Sequence, residues 1–243
     1  ALTLQQGVNF SNSTLQYCTA GDARQSIIDT YGWTITDAGL APGCNDSDEL
    51  TPITDANFES AIANCLASNP VDGMCSDSEY GAMPDWDVSQ VTDMSDTFRF
   101  KTSFNADISA WDVSSVTDFG GMFYYANSFN QDISAWDVSN GPSMSNMFFH
   151  ARSFNQDISI WDVSNVTNMN GMFYQTYDFN QDLSSWNFSN VTNMAAMFRY
   201  AESFNQDLSS WDISNVTDLT NFAEGTPISL EHYDALFTGW SAL

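Results

Sequence analysis

Tryptophan falls at 86, 111, 136, 161, 186 and 211, a spacing of 25 residues without slippage. Other apolar positions keep the same phase. Phenylalanine recurs at 98, 123, 148, 173 and 198, and again at 104, 129, 154, 179 and 204. Aliphatic residues follow at Ile108, Ile133, Ile158, Leu183 and Leu208, and the place two after each tryptophan reads Val88, Val113, Val138, Val163, Phe188 and Ile213. A phase-locked period of this length means that no unit closes a core alone, so each must stack on its neighbours. The 243 residues therefore favour one continuous elongated core over two compact globules.

Within a unit, Ile133, Trp136 and Val138 occupy the first, fourth and sixth places of a short run, the spacing of a leucine-rich-repeat strand with Trp136 and Val138 on one face. Ser139-Asn140 and its copies supply turn chemistry. Met169, Met172 and Phe173 suit a short helical return. The expected fold class is an α/β repeat: a leucine-rich-repeat-like solenoid of short stacked parallel strands, short helical returns and helical end caps. Gly141-Pro142 replaces the usual Val-Thr, and a bulge is expected there because proline donates no ladder hydrogen bond. Phe-Asn-Gln-Asp at 129–132, 154–157, 179–182 and 204–207 puts one asparagine and one aspartate in each unit. Stacked asparagines are expected to bond neighbouring turns, and the aspartates to accept from backbone in the bend.

The flanks are less regular. Residues 1–50 read as a disulfide-containing segment with a helix that ends near Gly32 and a short strand at 33–36. Residues 51–79 read as a capping region with a helix from about 55 to 66, before the repeat block at 80–225. Residues 226–243 form a final capping helix, with Ser229 as N-cap and Leu230, Tyr233, Phe237 and Trp240 as one apolar stripe.

Charge narrows the partners. Acidic residues number 31 against Arg24, Arg99, Lys101, Arg152 and Arg199, a net charge of −26. Such a surface repels nucleic-acid phosphate and anionic lipid, and no apolar run approaches the ~18 residues of a membrane span. Cys18, Cys44, Cys65 and Cys75 lie outside the repeats in no zinc spacing. Their even number points to an extracellular protein with disulfides, paired Cys18 with Cys44 and Cys65 with Cys75. The two histidines, His150 and His232, sit in no nucleophile or metal motif, so no enzyme is expected.

Two sets of side chains are candidate sites. The variable places after the recurrent phenylalanine carry Tyr124, Phe149 and Tyr174, then Tyr125 and Tyr200, with Arg99, Arg199 and His150 among them. Aromatic residues on a regular scaffold suit a binding edge for protein or glycan, the bland alternative being packing into the return segment. Asp112, Asp137, Asp162 and Asp212 form a column of carboxylates, with Asn187 in the remaining place. Calcium is the candidate occupant of that column, and hydrogen bonds from Ser114, Ser139 and Ser164 are the other way to satisfy the oxygens. No other cofactor is expected.

The words Phe-Asn-Gln-Asp-Ile-Ser-x-Trp-Asp-Val-Ser-Asn-Val-Thr-Asn-Met and Met-Phe-x-x-Ala, carried by 129–172 and their copies, resemble the BspA-like leucine-rich-repeat surface proteins. Residues 233–243 resemble the helix that follows the repeats in marine bacterial members, and 23–37 resemble the segment that comes after that helix. Here that order is inverted, so the chain is expected to be one unit of a longer tandem array, or a subunit whose ends complete one another between neighbours. The resemblance implies a secreted or surface-anchored protein of adhesion and matrix contact, with no catalytic residues and no named ligand. The expectation is an extracellular structural and adhesive module in a head-to-tail filament or giant surface protein. The alternative is a monomeric ligand-recognition domain.

Overall fold

Each 25-residue unit closes into one coil made of turns, because local partners take backbone donors that a strand would need. In the run expected as a strand, Trp136 N–H donates to Ile133 O at 3.2 Å and Gly141 N–H to Val138 O at 3.0 Å. Between them, Ser134 N–H goes to the Asp132 carboxylate and Ser139 N–H to that of Asp137, at 3.0 and 3.1 Å. Short polar side chains thus take the donors a strand would offer its neighbour. The expected α/β repeat of strands and helical returns is corrected accordingly: among the described residues the coils hold neither strand nor α-helix, only isolated parallel bridges such as Asp93 with Asp118 and Asn168 with Asn193.

The return half of each coil is also a chain of turns. Left-handed residues occur at two places per coil, among them Asp96 (φ 53°) and Phe100 (φ 60°), Gly121 and Tyr125, Asn146 and His150, and Asn221 and Gly225. Such residues stop a right-handed helix from propagating. They also turn alternate N–H groups along the stack. Met94, Asp96, Phe98 and Phe100 donate to the carbonyls of Asp118, Gly120, Met122 and Tyr124 at 2.8–3.0 Å, while Thr97, Arg99 and Lys101 bond three residues back. At Gly121 the left-handed backbone favours glycine, and a β-carbon there would meet the Asp96 carboxylate of the preceding coil, which would have to move.

The computed structural model describes residues 51–241, together with the backbone of 9–12 and 34–37. The chain divides into two compact units, Ala1–Thr51 and Pro52–Leu243. In the first unit, β1 (Asn9–Asn12) pairs in parallel with β2 (Thr34–Asp37), Asn9 opposite Thr34 and Asn12 opposite Asp37. The alternation at 33–36 pointed to β2. The helix expected before it, and Cys18 and Cys44, lie outside the described residues.

The second unit holds the coils. Its core is a set of ring columns, with Phe98, Phe123, Phe148, Phe173 and Phe198 stacked at 5.4–5.7 Å from coil to coil. Phe104 to Phe204 form a second column at 5.8–6.1 Å. The tryptophans line the same core, and their indole N–H groups reach back one coil: Trp136 to Ile108 O, Trp161 to Ile133 O and Trp186 to Ile158 O, each at 3.1 Å. Gly141 marks a local exchange of volume. A β-carbon there would meet the Phe119 ring at 2.7 Å, and Phe119 stands where the other coils carry Met94, Met144, Met169, Met194 and Leu219. The larger ring in one coil fills the space that valine takes in the next. Instead of the expected bulge at Pro142, rungs are missing: the coil-to-coil bond expected from Phe119 N–H to Ser143 O is absent, while Pro142 O still accepts from Thr167 N–H at 2.9 Å.

Helices close both ends. α1 (Phe58–Ser68) buries Phe58, Ala61, Ile62, Cys65 and Leu66, and Cys65 is disulfide-bonded to Cys75. The Asp55 carboxylate accepts from Thr92 N–H and Oγ1 at 2.7 and 2.6 Å. It takes the place filled in later coils by a carbonyl, as Thr92 O does for Thr117. At the far end Ser229 caps α2 (Leu230–Trp240), its Oγ accepting from His232 N–H. Trp240 donates to Leu208 O at 3.1 Å, the kind of bond a further coil's tryptophan would make. The expected apolar stripe of α2 is corrected: Leu236 is the buried residue, whereas Leu230 and Phe237 are 84% and 67% exposed.

Candidate functional site

The aromatic edge is built by the left-handed turns, which bring the same two places of successive coils into columns. Tyr124 stacks on Phe149 at 4.5 Å and Phe149 on Tyr174 at 4.3 Å. Tyr125 stacks on His150 at 4.1 Å, and Tyr200 meets Tyr174 edge-on at 6.1 Å. All five candidate residues are half-buried and belong to one continuous patch. Arginines close it: the Arg99 guanidinium lies 4.5 Å from the Tyr124 ring centre, and that of Arg199 lies 5.0 Å from Tyr200 and 5.7 Å from Tyr174. Ring faces are therefore largely occupied by one another and by arginine, and edges are what a partner would meet. Tyr124 and Phe149 also wall a cleft of about 500 Å³ whose floor includes Gly120, Gly121 and Ser145.

His150 is buried in this patch and accepts from Arg152 Nε at 3.1 Å. Burial, then the Arg152 charge, hold its pKa below the ordinary imidazole value.

The aspartate column is equally regular. Asp112, Asp137, Asp162 and Asp212 each accept the backbone N–H of the serine two residues on, at 3.0–3.1 Å, and Asn187 does the same for Ser189. Among the described residues, no group of three or more His, Cys, Asp or Glu side chains is placed to hold a metal ion. Hydrogen bonds from Ser114, first its hydroxyl and then its N–H, hold the Asp112 carboxyl below the usual range, and Ser164 and Ser214 do the same for Asp162 and Asp212. Thr92 lowers Asp55 in the same way.

A pH dependence follows from these shifts. A carboxyl whose pKa is lower in the folded chain contributes stability above its unfolded value, about 3.9, and that contribution is lost as pH falls through the folded value. The thermal midpoint at constant ionic strength is expected to be lower at pH 3 than at pH 5. An unchanged or higher midpoint at pH 3 would show that relief of acidic self-repulsion outweighs the turn hydrogen bonds.

Asparagines form the remaining columns. Each of Asn130, Asn155, Asn180 and Asn205 donates its N–H to the side-chain oxygen of the asparagine one coil back, at 2.9–3.0 Å. Gln156, Gln181 and Gln206 bond the same asparagines. Asn140, Asn165, Asn190 and Asn215 make a second ladder to serine carbonyls at 2.7–2.9 Å.

Turn-built coils of one fixed period, joined by polar ladders and a common aromatic core, define a stacked-coil repeat protein. Two overlapping stretches, residues 71–162 and 136–232, match the family described as Mycoplasma protein of unknown function, DUF285, and together cover more than half of the chain. The chain belongs to that family. No curated protein and no solved structure matches it. Among the described residues no helix is long and apolar enough to cross a membrane.

The repeated words of the sequence point to the asparagine ladder and to the recurrent aromatic places, but not to the left-handed ones. A signal was present: position 96 and its copies read Asp96, Gly121, Asn146, Gly171, Ala196 and Asn221, mostly residue types that tolerate positive φ.

Proposed function

We propose that this chain is a non-catalytic, extracellular structural and adhesive module of the BspA-like type, a unit of a surface filament or of a long tandem-repeat surface protein. The observation that carries the reading is the use made of the recurrent polar groups. Asparagine, glutamine, threonine, aspartate and tryptophan side chains that recur from coil to coil mostly bond their own coil or its neighbour, which suits a scaffold. The Cys65–Cys75 disulfide supports an oxidising compartment. The strongly acidic flanks oppose sideways clumping of such units.

Immunogold labelling of intact source cells tests the reading. Label on the unpermeabilised cell exterior or on emerging fibres is expected. Label seen only after permeabilisation would overturn it.

A further inference from the structure

Along the return half of each coil the coil-to-coil bonds share one direction, opposite to that of rungs such as Thr117 N–H to Thr92 O and Thr167 N–H to Pro142 O. In every junction, alternate N–H groups of one coil point to the carbonyls of the next, as from Met194, Ala196, Phe198 and Tyr200 to Asp218, Thr220, Phe222 and Glu224 at 2.8–2.9 Å. The last coil should therefore offer donors at Leu219, Asn221, Ala223 and Gly225, and among the described residues none of these N–H groups makes a hydrogen bond. At the other end, the carbonyls of Asp93, Ser95, Thr97 and Arg99 hold the equivalent acceptor places and accept no hydrogen bond among the described residues. A row of four donors thus ends the stack on one side, and a row of four acceptors begins it on the other, both at two-residue spacing.

Neither row is sealed by its cap. The donor row borders a mostly apolar cleft of about 370 Å³ whose other wall is α2, with Leu236, Phe237 and Trp240. The acceptor row borders a cleft of about 470 Å³ whose other wall is α1, with Phe58 and Ile62. One charged contact fits the same register, at an acceptor cleft that is also lined by Asp55, Glu59, Asp93 and Asp96 and where Arg99 lies 3.0 Å from Asp96. Within the chain Arg199 pairs with Glu224 of the following coil at 2.8 Å. The place that would follow Glu224 in that column is the place of Arg99, at the acceptor end beside Lys101.

We propose that the two ends are one heterologous interface between copies of this chain: the donor row and apolar cleft of one copy dock on the acceptor row of the next, with Glu224 against its Arg99. The proposal rests on the filament reading above and names the surfaces that would carry it. Because the two faces differ, the contact is open-ended and gives linear growth rather than a closed pair. Unpaired backbone groups at such a junction gain partners, as strand addition does for a sheet edge.

Sedimentation velocity over a concentration series on the full chain reads the association. The wild type is expected to form a ladder of oligomers. Phe237→Asp, at an exposed position of the donor end, and Arg99→Glu with Lys101→Glu, at the acceptor end, are each expected to weaken association by about tenfold or more with the fold intact by circular dichroism. A mixture of the two variants should give one-to-one dimers, because each keeps the end the other lacks. A wild type that stays monomeric, a two-fold dimer, or a mixture no more associated than its parts would overturn the proposal. Surface labelling with a monomeric chain would remove this inference and leave the surface role standing.

Discussion

Trp136→Ala is expected to lower the unfolding free energy by about 3–5 kcal/mol, the cost of emptying a large buried site in a close-packed core. Trp136 sits in a middle coil, 3% exposed, with its ring beside Phe123 at 6.3 Å and its N–H on Ile108 O. The substitution leaves a cavity between coils and strips a buried carbonyl of its partner. Each coil touches only its neighbours, so the damage falls on two junctions and loosens the coupling between the array on either side. Denaturant unfolding followed by near-ultraviolet circular dichroism should show an earlier and broader transition. Trp211 is the internal control. Phe188, which replaces a valine, stacks on that indole at 3.9 Å, and the Trp211 N–H is buried without a partner among the described residues. Trp211→Ala therefore removes no hydrogen bond, and its cost should be smaller by about 1 kcal/mol. Equal losses at the two positions would show that the indole hydrogen bond contributes nothing to stacking.

Gly141→Val restores the residue type of the other coils and is nonetheless expected to cost about 1–3 kcal/mol, because the Phe119 ring already occupies the space. Phe119→Met by itself shrinks a fully buried side chain and leaves a void. Together the two changes recreate the pairing found elsewhere, as with Met169 and the valine of the following coil, Val191. The double variant should be more stable than the sum of the single losses by about 1 kcal/mol or more, the coupling expected of side chains in contact. Pro142 is left in place, so its missing rung is common to all four proteins and cancels from the cycle. Simple additivity in equilibrium denaturation would refute the exchange of volume.

The distance between the legible and the illegible can be traced through single residues. Phe129 and Trp136 were readable as core because apolar surface recurring at one phase can be removed from water only by stacking. Asn130 was readable as a ladder group because a short amide returning each 25 residues meets its own copy. Ile133-x-x-Trp136-x-Val138 misled, since the same spacing serves a strand edge and two successive turns. What separates them is where the N–H groups of Ser134 and Ser139 go, and neighbouring carboxylates captured both. Likewise Leu230 and Phe237 share a helical stripe with Tyr233 and Trp240, yet the first two stand in water while Leu236, off that stripe, is buried.

The sequence by itself determined the period, the buried columns, the acidic surface and the turn chemistry, because each depends on side-chain identity repeated in one phase. Only the tertiary structure decided that coils replace strands, that arginines close the aromatic patch, and that the return half of the stack carries donors at one end and acceptors at the other. Those outcomes depend on the sign of φ at places such as Phe100 and Tyr125 and on which groups neighbouring coils bring within reach. Every residue but proline has the same N–H and C=O, so the direction in which they point is written in the backbone path and not in the letters.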